Sequence, residues 1–233
     1  MLELKNITYK VKDNGLEKII LNNVSCIFED STLTAITGHN GSGKSTFLEL
    51  ASGLLNPQSG KILATSKPVL AQQNYNSALF EVFAADDVAF GPRNLGLKGK
   101  ELYEKVKTSM NIVGLPFEEF KDKQTFTLSG GEKRKLAIAG IIAMRPDIMI
   151  LDEPTAGLDP VGKNALLRLI KDYNASTGST VIFVSHNMDD VALVADRVIV
   201  MNKGQVALSG TVPEVYSKGE FLSELGLDVP EIT

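Results

Sequence analysis

The spacing of apolar positions divides the chain into two textures. Near the N-terminus, Leu2 to Lys12 and Asn23 to Phe28 read as strands around a polar turn containing Asp13-Asn14-Gly15. Next, Leu33-Thr34-Ala35-Ile36-Thr37 is a continuous apolar-leaning run that enters a glycine-rich turn, and Thr46 to Ser52 follows with Phe47, Leu48 and Ala51 at helical spacing. Strand, glycine turn, helix is the start of a βαβ unit. Two later runs, Ile148-Met149-Ile150-Leu151 and Val181-Ile182-Phe183-Val184, are apolar on both faces, as buried parallel strands must be. Ala165 to Tyr173, with Leu166, Leu167, Leu169 and Ile170, supplies the crossover helix between them. The two ends of the chain therefore predict an α/β fold with a mostly parallel sheet.

The middle carries no strand-like run from Asn74 to about Met144. Helical pattern occurs over Gly99 to Val113 and Glu132 to Met144, separated by loops at Gly114-Leu115-Pro116 and Thr127-Leu128-Ser129-Gly130-Gly131. This reads as a helical insertion, about 74–144, in an α/β core.

With 233 residues, the chain is long enough to bury most of its apolar surface without disulfides or structural metal. Its net charge of −4, with 24 Lys+Arg against 28 Asp+Glu, offers no broad basic surface for nucleic acid, and 43% apolar residues exclude a disordered chain. The single cysteine, Cys26, lies in an apolar strand-like stretch and reads as an inert core residue in a reducing compartment. Charged residues interrupt the N-terminal Met1-Leu2-Glu3-Leu4-Lys5, so no secretory signal is expected. The longest strongly apolar run, Leu136 to Met144, is nine residues, where a membrane span needs about 20.

The glycine turn carries chemistry. Gly38-His39-Asn40-Gly41-Ser42-Gly43-Lys44-Ser45 has the phosphate-loop spacing of Gly, four residues, Gly-Lys-Ser, and it stands between a strand and a helix as that loop requires. Glycines let the backbone curl so that successive N–H groups face a phosphate without obstruction by a Cβ. Lys44 brings a point charge to the β- and γ-phosphates, the following helix brings its N-terminal dipole, and Ser45 a hydroxyl for Mg²⁺. Thr46 continues the loop into the helix. The His39 side chain, at a variable position, reads as a bystander. The second element is Ile148-Met149-Ile150-Leu151-Asp152-Glu153, where two carboxylates end a buried strand at the edge where parallel sheets bind ligands. Asp152 is the candidate for the Mg²⁺ shell, and Glu153 for polarising the water that attacks the γ-phosphate. Together these residues predict nucleoside-triphosphate hydrolysis with Mg²⁺ as the metal.

Leu128-Ser129-Gly130-Gly131-Glu132, followed by a basic and then apolar helix and by the carboxylate strand, resembles the signature motif of ATP-binding-cassette (ABC) ATPases. The resemblance runs over nearly the whole chain. It implies a P-loop NTPase three-layer core with an N-terminal antiparallel β-part and a helical subdomain, residues 1–233 forming one such domain. It also assigns Gln73 to the Q-loop as a catalytic and metal-shell residue, Asp159 to the D-loop, and His186 to the switch that senses the γ-phosphate. ATP would be sandwiched between two subunits, each site using Lys44, Ser45, Gln73, Asp152, Glu153 and His186 of one chain with Ser129, Gly130, Gly131 and Asp159 of the other. Lys133, Arg134 and Lys135 read as the solvated face of the signature helix.

Two positions depart from the family's pattern. Its adenine-stacking aromatic would fall in Tyr9-Lys10-Val11, so either Tyr9 serves or the stack is weak. Only 29 residues separate Lys44 from Gln73, a spacing that predicts a trimmed antiparallel β-part. Gln72 adjoins Gln73, and the spacing to Asp86-Asp87 favours Gln73 as the Q-loop residue.

Leu79-Phe80-Glu81, the segment Asp86 to Leu97, and Ala137-Ile138-Ala139-Gly140 resemble the energy-coupling-factor group, which imports vitamins or Co²⁺ and Ni²⁺ ions. That resemblance implies a cytoplasmic-face peripheral ATPase paired with a second ABC ATPase subunit, homo- or heterodimeric. It would sit beneath a transmembrane coupling protein and a membrane substrate-binding subunit, with no nucleic-acid partner. Leu79, Phe80, Val82 and Phe83 would then meet the membrane partner or belong to the core. The tail, 213–233, ends where such members continue into further helices. The other readings are a soluble ABC ATPase of the iron–sulfur-assembly type and the ATPase of another ABC transporter class; the Asp86 to Gly91 segment argues against iron–sulfur assembly.

Overall fold

The computed structural model describes residues 1–13, 15–72 and 79–227. The described residues form two compact units. One comprises the described residues within 1–70, 147–153 and 170–227, the other those within 71–146 and 154–169.

The first unit opens with strands β1 (Leu2–Asp13) and β2 (Leu16–Phe28), a longer hairpin than the sequence suggests, because β2 begins at Leu16 rather than at Asn23. The early residues of β2 are exposed, so no alternation of buried positions betrayed them. Parity changes within both strands. Leu2 and Leu4 are buried, then Ile7; Leu21 is buried, then Val24 and Phe28. Asn6 and Asn23, at φ of 53° and 51°, sit at these switches, and the β1–β2 register shifts beside them. An irregularity of this kind moves the next apolar residues back to the core face, and Asn tolerates the left-handed backbone it needs.

Strand β3 (Leu33–Thr37) is buried throughout and leads through the glycine turn into α1 (Lys44–Ala51). Strand β4 (Ser59–Ala64) pairs antiparallel with β1, completing a three-stranded sheet in the order β2-β1-β4. The short β5 (Val69–Ala71) follows.

In the second unit, α2 (Ala84–Asn94), α3 (Gly99–Ile112) and α4 (Phe117–Phe120) precede α5 (Gly130–Met144), and α5 packs against both α2 and α3. Helix α2 contains Pro92. Strand β6 (Ile148–Asp152) returns to the first unit, and α6 (Pro160–Thr177) begins in the second unit and ends in the first. The first unit is completed by β7 (Thr180–Val184), α7 (Met188–Val194), β8 (Arg197–Asn202), β9 (Gln205–Thr211), α8 (Val212–Tyr216) and α9 (Gly219–Glu224).

The larger sheet has the order β5-β6-β7-β3-β8-β9. β6, β7, β3 and β8 pair in parallel, and β8 pairs antiparallel with β9. β3 lies at its middle, so the phosphate-loop spacing occurs at the end of a strand buried from both sides. One core joins Leu2, Leu4, Ile7, Leu21, Val24 and Phe28 to Phe47, Leu48 and Leu50 of α1 and to Ile148, Ile150, Ile182 and Val184 of the parallel strands. Cys26 packs on this core, and burial pushes its thiol up to about 12, which makes it the inert residue the sequence predicts.

Candidate active site

The glycines of the loop are set by close approach as much as by conformation. Gly38 has φ of 141°, and a Cβ there would stand 2.2 Å from the Met201 carbonyl oxygen. Gly43 has φ of 101°, and its Cβ would meet the Leu21 side chain at 2.8 Å. At these two positions the loop is fitted between β2 and the end of β8, with space for a backbone and for nothing larger. The β8–β9 turn holds it from the same side, where Gly204 N–H donates to the Ser42 carbonyl at 3.0 Å and the Gly204 carbonyl accepts from Asn22 N–H at 2.9 Å. Sequence reading missed this clamp, although Lys203-Gly204 is a turn dipeptide that marks it.

Gly43 caps α1 without a side chain, so the first N–H groups of the helix have no capping side chain to bond. Lys44 is buried. Its Nζ donates to the Gly38 carbonyl at 2.6 Å and the His39 carbonyl at 2.9 Å, both within the loop. Burial lowers its pKa, and Glu153 and Asp152 oppose that shift. Asp152 is also buried, and burial raises its carboxyl pKa first, Glu153 second, while a hydrogen bond from the Ser45 side chain and the charge of Lys44 pull it down. The Ser42 hydroxyl is buried with no hydrogen-bond partner among the described residues. An ammonium bonded only to carbonyls, open helix N–H groups and an unpartnered hydroxyl fit a polyphosphate. A buried carboxylate beside a second carboxylate and a serine hydroxyl offers the oxygen donors of a hard divalent cation.

Glu153 follows β6 at φ of 48°, a conformation rare for a side chain of its size. It directs the carboxylate to His186 at the end of β7, with Glu153 Oε1 and His186 Nδ1 3.1 Å apart. Adjacent parallel strands thus bring together two residues 33 apart in sequence. Tyr9 is partly buried and packs on the core. His39 and Asn40 are exposed, and the His39 ring meets the carbonyl of Leu225. Thr46 lies in α1.

The second unit holds a different arrangement. Ser129 caps α5 with a complete capping box, in which its Oγ accepts from Glu132 N–H at 3.3 Å and its N–H and Oγ both donate to Glu132 Oε2 at 2.8 Å. A Cβ at Gly130 would touch nothing, and one at Gly131 would reach only Leu158, at 3.5 Å. Asp159 caps α6, its Oδ1 accepting from Val161 N–H and Gly162 N–H at 3.0 Å each. Arg134 departs from the solvated face expected of it. It is half-buried and donates through its guanidinium to the Ala156 carbonyl, tying the signature helix to the segment before Asp159. Its position in a basic triplet hid this.

Phe80, Val82, Phe83 and Phe90 are exposed, with Phe80 and Phe90 stacked edge to face at 4.4 Å. Beneath them, buried Asp87 accepts from Phe80 N–H and Glu81 N–H at 3.0 and 3.1 Å. Gln73 and the tail residues 228–233 lie outside the described residues.

A sequence model of the ABC transporter family matches residues 21–156. The chain is 47% identical to the energy-coupling factor transporter ATP-binding protein EcfA2 of Clostridium perfringens, over 93% of this chain and 81% of that protein. It is 46% identical to EcfA2 of Caldanaerobacter subterraneus subsp. tengcongensis, over 92% and 80%. Among solved structures, cbiO1 from Clostridium perfringens, part of the ABC transporter complex cbiONQ, matches with a TM-score of 0.83 and 33% identity over 99% of this chain and 96% of that one. The dimeric cassette MJ0796, in a post-hydrolysis state bound to ADP and Pi, matches with a TM-score of 0.83 and 26% identity over 91% and 99%.

Proposed function

Because this chain belongs to the ABC transporter family of ATPases, we propose that it is the ATP-hydrolysing subunit of an energy-coupling-factor importer, for vitamins or Co²⁺ and Ni²⁺ ions. It converts ATP and water to ADP and phosphate. The loop 38–45 and Thr46 hold the phosphates, with Lys44 exchanging its carbonyl partners for phosphate oxygens. Glu153 orients and deprotonates the attacking water, and His186, at 3.1 Å from it, meets the γ-phosphate. Ser45 and Asp152, with Gln73 by resemblance, would hold a magnesium ion, which supplies neutralisation of the charge on the β- and γ-phosphates. Tyr9 remains the candidate for the adenine stack.

The sandwich reading draws support from Gly130, where the glycine has no neighbour of its own chain to accommodate. Glycine at such a place serves a close approach from outside, here the γ-phosphate held by a second ABC ATPase subunit. Ser129, Gly131 and Asp159 complete that face. The phosphate then bridges two subunits, and its removal lets them part, which is how hydrolysis becomes movement.

Phe80, Val82, Phe83 and Phe90 carry the importer reading. Four large apolar side chains in one exposed stretch, kept out of the core, fit a permanent partner. The partners proposed are a transmembrane coupling protein and a membrane substrate-binding subunit, with this chain peripheral on the cytoplasmic face. Among the described residues no helix is long and apolar enough to cross a membrane. Purification of the tagged chain from native membranes in mild detergent tests the proposal. Recovery of membrane subunits that stimulate its ATPase is expected; recovery of soluble partners alone overturns it.

A further inference from the structure

We infer that His39 is a positioning residue for ATP binding, tying the phosphate loop to the C-terminal helix through a hydrogen bond from its ring to the carbonyl of Leu225. Helix α9 ends in a Schellman turn. Leu227 N–H reaches the Leu222 carbonyl at 2.9 Å, Gly226 N–H reaches the Ser223 carbonyl at 2.8 Å, and Gly226 takes the left-handed conformation at φ of 64°. Leu222 and Leu227 are both buried, which anchors the turn in the first unit. Such a turn satisfies two of the terminal carbonyls and leaves others open. The Leu225 carbonyl is one of these, and His39 Nε2 bonds it. A carbonyl only accepts, so Nε2 carries the proton.

The other end of His39 faces the nucleotide site. Its carbonyl accepts from Lys44 Nζ at 2.9 Å and from Ser42 N–H at 3.1 Å. One residue therefore holds the lysine on its main chain and the C-terminal turn on its side chain. The ring fits the turn closely, since a Cβ at Gly226 would stand 2.8 Å from His39 Nε2. The tie adds to those main-chain bonds in resisting uncurling of the exposed stretch His39 to Gly41. Ordering this stretch in advance lowers the cost of binding, because the loop then loses less freedom when phosphate arrives.

The proposal rests on the ATP site described above, and four variants of the full chain test it against measured ATP affinity, KM and kcat. His39→Ala is expected to weaken ATP binding about fivefold, the effect of one hydrogen bond, and to raise KM more than it lowers kcat. His39→Gln, whose amide can donate from nearly the same point, recovers most of the affinity. Gly226→Ala pushes the ring away and reproduces the loss, measured well below its lowered melting temperature. His39→Ala combined with Gly226→Ala binds no worse than the weaker single variant. Full affinity in His39→Ala, failure of His39→Gln to rescue, or additive losses in the double variant would each overturn the inference. Absence of ATP hydrolysis in the parent chain would instead refute the function itself.

Discussion

Glu153 Oε1 lies 3.1 Å from His186 Nδ1, and the two side chains differ sharply in exposure, 13% against 61%. The largely sheltered carboxylate follows a backbone at positive φ, while most of the imidazole it bonds stays exposed. Replacing Glu153 by Gln keeps the shape and removes the base. Turnover should fall roughly 10²–10⁴-fold, the range for a positioned general base, while ATP binding persists and a nucleotide-bound dimer accumulates. Steady-state hydrolysis and size-exclusion chromatography with ATP check this; unchanged turnover would remove Glu153 from its role.

Much of this site was legible because its residues are fixed by local chemistry. The spacing of Gly38 to Ser45 follows from what a phosphate demands, and Ile148 to Glu153 states strand and carboxylates in one stretch. The fold followed from runs such as Val181 to Val184, whose burial on both faces leaves no alternation to misread. What escaped depends on contacts distant in sequence or on exposed surface. The start of β2 at Leu16 is solvated and shows no period. Strand β4 escaped because its residues are mostly exposed and its pairing with β1 shows in no local pattern. Helix α2 was hidden by Pro92, and the tie between His39 and Leu225 joins residues 186 apart.

The capping box of α5 gives a stability prediction with a definite pH dependence. The Ser129 N–H, then its hydroxyl, hold the Glu132 carboxyl below the usual carboxylate range. A carboxylate with a depressed folded pKa contributes stability above its unfolded pKa and loses it as pH falls through the folded one. Glu132→Ala should cost about 1 kcal/mol at neutral pH. The melting temperatures of variant and parent should converge as acid protonates the parent's carboxyl. A difference that persists in acid would show that the loss comes from packing.

The exposed aromatic pair provides a test separate from catalysis. Phe80→Asp with Phe90→Asp puts two charges where an apolar partner must be desolvated. Membrane subunits should be lost from the detergent-purified complex, while the ATP affinity of the isolated chain stays that of the parent. Retention of those subunits by the double variant would move the docking surface elsewhere.

Ser129 and Lys44 allow the shared site to be tested by mixing. In the sandwich arrangement each site takes Lys44 from one subunit and Ser129 from the other, so a homodimer of either Ser129→Arg or Lys44→Ala has two broken sites. Ser129→Arg should still bind ATP, since the arginine obstructs the partner's phosphate and not its own. A dimer of one chain of each kind concentrates both defects in a single site and leaves the other intact. Random mixing gives half mixed dimers, so about a quarter of the parent activity should return if sites act independently in a symmetric dimer. Neither variant alone should hydrolyse ATP. Recovery on mixing is the signature of a site built from two chains; a mixture as inactive as its components would count against it.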